Sequence, residues 1–246
     1  MKKYWIFLKV EGKLAIRSME GIIFGIGMPI GVLLLITMIS GTQTASNNGH
    51  TFLQNSFPAL ATVGICATAF MGLPITISDY RDKKILRHFF TTPSSPSFFL
   101  SIQFMICTIL AFSSTLGVTL VATLVLNYQM TGSWVGFILV YLFVLIAMYS
   151  IGMMMASLCK SSQRAHLVST LVYFPMLFFS GAVIPYEIFP DGLQKVAQVL
   201  PLTQGIRLLK IVSFEDIQAV PLLPLIYLCV LAFIGILVSI KTFRWE

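Results

Sequence analysis

Residues 79–96 read Asp79-Tyr-Arg-Asp-Lys-Lys-Ile-Leu-Arg-His-Phe-Phe-Thr-Thr-Pro-Ser-Ser-Pro96, a strongly charged stretch wedged between apolar runs over 57–78 and 98–126. Each run covers the ~20 residues that an α-helix needs to cross ~30 Å of hydrocarbon. Four more runs of this kind follow the same pattern, at 21–40, 134–158, 166–185 and 219–240. The intervening segments carry 5, 0, 4, 0, 2, 3 and 2 Lys or Arg in chain order, so thirteen of the sixteen cations fall in alternate gaps. The positive-inside rule reads that alternation as six transmembrane helices with both termini in the cytoplasm, an all-α polytopic membrane protein.

Composition points the same way. With 57% apolar residues, 10% charged and a mean hydropathy of +0.90, polar side chains are too few to cover a soluble domain. The net charge of +7 does not imply nucleic acid, because the cations sit beside membrane ends and meet lipid headgroups there. The first run is too long for a signal-peptide core and is followed by no small-x-small cleavage site, so it is expected to remain as a span. Cys66, Cys107, Cys159 and Cys229 lie in or at the edge of apolar runs at no metal-ligand spacing, which makes them apolar fillers and leaves no metal site. No linker divides the chain, so residues 1–246 form one transmembrane domain.

Three segments are not plain spans. In residues 1–20 the helical wheel puts Lys2, Lys9, Lys13, Arg17 and Glu20 on one side and Tyr4, Trp5, Leu8, Ala15, Ile16 and Met19 on the other, the pattern of an interfacial helix lying on lipid. In the 79–97 loop, Ile85, Leu86 and Phe89 recur at helical spacing, with Asp79 or Asp82 available to the helix start and Pro93 and Pro96 to stop it. Such aromatic and basic side chains suit a cytoplasmic protein partner. In the 186–218 segment, Leu193, Val196, Ala197 and Leu200 make an apolar stripe between Pro190 and Pro201, and Asp191 and Lys195 can pair at i, i+4. A helix of that kind on the outer side is expected to dip into the outer leaflet or close the mouth of the protein, an outer gate.

With these segments in place the chain resembles the membrane subunit of bacterial exporters of the ABC-2 type, the permease family that works with a separate ATP-binding subunit. The resemblance runs along the whole chain. It rests on the amphipathic start, the charged loop with Asp79 to Lys84, Leu86 and Thr92-Pro93, and the outer segment with Pro185, Phe189-Pro190, Leu193-Gln194 and Leu200-Pro201-Leu202-Thr203. Asp82 and Lys83-Lys84 stand where the family often has Glu and a Gly-Thr pair. The resemblance implies a homodimer, or a pair with a related permease, in the bacterial plasma membrane, with two copies of the ATP-binding subunit below. It assigns ATPase coupling to Arg81, Asp82, Lys84, Leu86, Arg87, Phe89 and Phe90 on a helix over 81–90. It lines a cargo pathway with Phe70, Met71, Ser169, Thr170, Tyr173, Phe174 and Phe178 on the second and fifth spans.

The residues limit other functions. The chain has no Gly-x-x-x-x-Gly-Lys-Ser/Thr loop, so ATP and Mg are expected on the partner and no cofactor here. An intramembrane enzyme needs paired carboxylates, a His-Glu-x-x-His face or a Ser facing a His at membrane depth; His50, His88 and His166 are scattered and the acids lie at span ends or in loops. A secondary carrier or channel is the alternative, but no charged residue stands mid-span, where coupled carriers usually keep one. A pathway of Phe, Met, Thr and Tyr suits a lipophilic or amphipathic cargo such as a drug, an antimicrobial peptide or a lipid-like product. Gly21, Gly25, Gly27, Gly31, Gly152 and Ala156 fall at small-xxx-small spacing for close helix packing, and Pro29, Pro74 and Pro175 are expected to kink their helices.

Overall fold

A proline inside a helix leaves the carbonyl four residues earlier without its N–H donor and pushes against it. Pro29 and Pro74 each follow a π-helical turn, Ile23–Gly27 and Thr68–Gly72, in which the widened ladder accommodates that defect. The carbonyl that Pro29 orphans, on Gly25, accepts a hydrogen bond at 2.5 Å from Ser114 Oγ of a neighbouring helix. Sequence thus dictates the break, and packing repairs it.

The computed structural model describes residues 2–17, 23–40, 52–85, 96–159, 161–183, 189–215 and 220–242. In chain order the helices are α1 (Lys2–Arg17), α2 (Met28–Ser40), α3 (Phe52–Ala67), α4 (Leu73–Asp82), α5 (Pro96–Leu120), α6 (Trp134–Leu158), α7 (Ser162–Phe179), α8 (Asp191–Val199), α9 (Pro201–Phe214) and α10 (Leu222–Thr242). The π-turn Thr68–Gly72 joins α3 to α4, and a third, Val121–Val125, extends α5. No strand occurs among the described residues.

Four stretches are long and apolar enough to cross a membrane: Leu53–Asp82, Phe98–Val125, Trp134–Leu158 and Leu222–Thr242. The first expected run holds a shorter apolar helix, Gly25–Leu35. At the fifth, α7 has 18 residues but opens on Ser162, Gln163, Arg164 and His166, which dilute its hydropathy. The expected 134–158 matches α6, capped by Ser133 accepting from the Gly136 amide. Elsewhere the bounds differ. The 57–78 run sits in a helix from 52 to 82, because polar residues at both ends continue the backbone ladder, whereas the 166–185 run becomes 162–179, started by Ser161 and closed by Gly181 at φ 87°.

α6 is the central pillar, with Tyr141, Val144, Leu145, Ala147, Met148 and Tyr149 buried against α3, α4, α9 and α10. Lipid tails are as apolar as leucine, so close packing and interhelical hydrogen bonds, not water exclusion, hold such helices together. Tyr149 pairs with Thr68 at 2.9 Å, and Thr115 donates to Tyr141 at 2.8 Å. A Cβ built on Gly152 would lie 2.1 Å from the Ala69 carbonyl oxygen, so only glycine lets α6 seat on the π-turn. A Cβ built on Gly25 or Gly31 would meet nothing within 4 Å among the described residues.

Gly152→Ala is expected to destabilise by ~1–3 kcal/mol through overpacking. Gly31→Ala should be neutral. Melting of the detergent-purified protein followed by size-exclusion fluorescence reads both, and an unshifted Gly152→Ala would refute the contact.

Candidate functional site

One end of the bundle is tied together by acids. In the last turn of α4, Asp82 accepts from the Ser162 amide at 2.5 Å and Asp79 accepts from the Ser162 hydroxyl, so two carboxylates sit at the N-terminus of α7, where the helix dipole favours them. Arg81 Nη2 donates to the Ala156 carbonyl of α6 at 2.5 Å. Lys83 lies 3.8 Å from Asp79, an exposed pair that contributes little. Burial raises the Cys159 thiol above its ordinary value, against the opposing pull of Arg81 and Arg164, which keeps it an inert filler.

α1 is bolted to the same end. Glu11, the single acid of α1, accepts from the Tyr80 hydroxyl and from Gln103 Nε2, each at 2.8 Å. Tyr4 and Phe7 meet Phe98 edge-on at centroid distances of 4.3 and 5.6 Å. Trp5, Ile6, Val10 and Leu14 are exposed instead. The inward face therefore runs through Phe7, Leu8, Glu11 and Ala15, a stripe rotated from the one expected around Trp5. Glu11 was not legible as a contact residue, although an acid alone among cations was a signal.

The coupling helix expected over 81–90 does not start at Arg81. α4 ends at Asp82, Lys83 caps it, and Lys84 turns back in the left-handed region at φ 56°. Asp79 and Asp82 therefore serve α7 and not the start of a loop helix. Lys84 is exposed, while Leu86, Arg87, Phe89 and Phe90 lie outside the described residues.

The expected pathway residues divide between two faces. Phe70, Ser169 and Tyr173 are buried inside this chain, and the hydroxyls of Ser169 and Tyr173 meet no partner among the described residues. Thr170, Phe174 and Phe178 point outward from α7 together with Leu167 and Leu171. A helix presents residues one apart about 100° around its axis, so Ser169 and Thr170 cannot line one wall. Met71 lies with neither group. It lines a cavity of about 240 Å³ with Thr68, Gly72, Thr76, Cys107 and Leu110, beside the π-turn.

At the opposite end α8 and α9 form a helical hairpin. Pro201, expected to stop a helix, begins one, because its missing N–H costs nothing in a first turn. Of the expected gate residues, Ala197 is fully buried, Leu193 and Leu200 are half-buried, and Val196 is 58% exposed, so the stripe is split. The only ion pair among the described residues is Lys83 with Asp79, so Asp191 and Lys195 do not pair. α9 runs antiparallel to α6: the Gly132 amide donates to the Ser213 carbonyl at 2.9 Å, while Gly205 abuts Val144. Its other face carries Thr203, Gln204, Arg207 and Lys210, which line a cavity of about 350 Å³ with Ser180, Gly181 and Gln198. These polar residues were missed, although their spacing along one helix face was readable.

The sequence pattern of the ABC-2 type transporter family matches residues 2–214. The chain belongs to that family. Its members are the membrane components of transporters, which pair with an ATP-binding subunit. Over 99 residues the permease is 34% identical to Nodulation protein J of Rhizobium leguminosarum bv. viciae, covering 40% of this chain and 38% of the relative. The Bradyrhizobium diazoefficiens Nodulation protein J is 34% identical over 95 residues, 39% of this chain and 36% of its own length. The match therefore spans well under two thirds of these relatives.

Glu11→Gln in the permease is expected to lower stability by about 1.5–3 kcal/mol, the scale of a hydrogen bond to a charged group. Combined with Tyr80→Phe, the loss should be clearly less than additive. Thermal unfolding of the two single variants and the double reads this, and strict additivity would dissolve the pair.

Proposed function

We propose that the permease is the membrane half of an ABC exporter that moves a lipophilic or amphipathic compound out of a bacterial cell across the plasma membrane. In this reading a homodimer of six-span, N-in/C-in chains is driven by two copies of a separate ATP-binding subunit, which carries ATP and Mg. The observation that carries the cargo class is the cavity beside the π-turn, walled by Ala67, Met71, Ile75, Ile106, Cys107 and Leu110, with Thr68, Thr76, Gln103 and His166 as its polar points. Mostly apolar walls with a few polar groups suit an amphipathic molecule. Flexible Met71 suits a cargo of variable shape. π-Turns recur at functional sites, and this one belongs to the helix whose last turn is tied to α1, α6 and α7. A push on residues 79–82 thus reaches three other helices through direct bonds. An antimicrobial peptide or drug fits this reading, as does a lipid-like product. Leu193 and Ala197 on α8, with Leu200 at the junction to α9, support an outer gate.

Met71→Trp, which fills the cavity, is expected to cut export about tenfold, equivalent to ~1.4 kcal/mol, with co-purification of the ATP-binding subunit intact. Transport of a panel of lipophilic dyes into inverted vesicles measures it, and wild-type rates for every dye would remove the cavity from the pathway. Phe89→Ala in the 79–97 loop should instead weaken ATPase co-purification by ~2 kcal/mol, as for a truncated interface anchor. Retention at the wild-type level would leave that loop on lipid. For orientation, single cysteines at Ser46 and Thr131 should react with an impermeant thiol reagent from outside and one at Ser94 should not; the reverse pattern would overturn the topology.

A further inference from the structure

α9 carries two cations, Arg207 and Lys210, below the Trp134 end of the bundle. Val144 lies ten residues into α6, so Gly205, which abuts it, sits about 15 Å below the Trp134 end of the bundle, and Arg207 about 12 Å below it at 1.5 Å per residue. An ionised group at that depth is tolerated where it faces water or a ligand, and it marks a functional surface. Arg207 and Lys210 both line the 350 Å³ cavity, one turn apart on the face of α9 that turns away from α6. The rest of the described lining is Ser180, Gly181, Gln198, Thr203, Gln204 and the apolar Ile206, and it holds no carboxylate. Ser180 Oγ is committed to the Leu177 carbonyl and Gln204 Nε2 to the Gln198 carbonyl. Thr203 is not. It lines the cavity at 9% exposure, and its Oγ1, itself buried, has no partner among the described residues. A buried hydroxyl without a partner is costly, and a ligand oxygen accepting from it would recover that cost.

We propose that this vestibule is a binding site for an anionic phosphate headgroup that carries no cation of its own, a phosphomonoester above all. The Arg207 guanidinium presents the fork that matches phosphate oxygens, Lys210 supplies a second charge, and Thr203 donates a hydrogen bond. The same chemistry could be brought by a membrane phospholipid or by phosphate from solution. The site stands whichever compound the permease exports and whichever way the chain is oriented, so it fails or survives separately from the exporter reading.

The test uses the full-length permease in phosphatidylcholine nanodiscs, titrated calorimetrically with short-chain dihexanoyl phosphatidate and, in parallel, with dihexanoyl phosphatidylcholine. Phosphatidate is expected to bind at least about tenfold tighter. Arg207→Gln and Lys210→Gln should each weaken it about fivefold or more, as expected for loss of a charge-assisted contact. Lys195→Gln, an exposed cation on α8 outside the cavity, should change it less than about twofold. Competition by inorganic phosphate at equal concentration would mark a site for the ion itself; none at a large excess would mark a lipid headgroup site. Equal affinity of the wild-type permease for the two lipids would overturn the proposal, and that comparison needs no variant to fold. Wild-type affinity in a monodisperse Arg207→Gln, Lys210→Gln double variant would overturn it as well.

Discussion

Within hydrocarbon a backbone carbonyl without a donor has no water to turn to, and the helix breaks of this permease follow from that constraint. Pro29 and Pro74 each remove a donor in a segment that must stay helical, and the π-turns before them widen the ladder. The Ser114 hydroxyl answers the carbonyl of Gly25, which ties the first apolar helix to α5. Elsewhere hydroxyls fold back on their own helices, Thr37 to Leu33, Thr68 to Gly64 and Thr119 to Thr115. Against that background the buried hydroxyls of Ser78, Ser169, Tyr173 and Thr203 stand apart, with no partner among the described residues. Of these, Thr203 borders the vestibule, beside Ser180 and Gly181 at the end of α7.

The ends of the bundle are built on different physics. At the α1 end the bonds are charge-assisted and run between elements: Glu11 to Tyr80 and Gln103, Asp82 to Ser162, Arg81 to Ala156. Such bonds transmit displacement because each is directional and costly to leave unmade. Near the other end Gly205 packs against Val144, and polar groups collect around a cavity. A stiff end and a roomier end suit a membrane component of a transporter that is driven from one side.

The sequence revealed class and element order well, and faces poorly. α6 was legible to the residue, because an unbroken apolar run followed a serine cap. The other helices ran past their apolar runs or fell short of them, since caps and not hydropathy set helix ends, as at Ser161 and Gly181. The pathway set was assembled helix by helix, and structure divides it because Ser169 and Thr170 cannot share a face. On α1 the inward stripe centres on an acid, which no apolar wheel would choose. A half-buried carboxylate becomes intelligible only when its donors, Tyr80 and Gln103, arrive from 69 and 92 residues away.

The helix most thoroughly missed was α9, and the reason is local. Pro201 follows an apolar stripe and reads as a terminator, yet proline is equally at home at the first position of a helix, and only tertiary context decides between the two. Once Pro201 begins a helix, the next polar residues acquire a face. The segments expected outside carry three cations against thirteen on the other side, an exception that topology alone leaves unexplained. Two of the three, Arg207 and Lys210, line one cavity, while Lys195 is exposed on α8. The exception to the charge rule is thus concentrated on a single surface, where the cations face an open volume instead of a lipid boundary. Charges held there against the topological preference are explained by what they face, not by where the chain crosses.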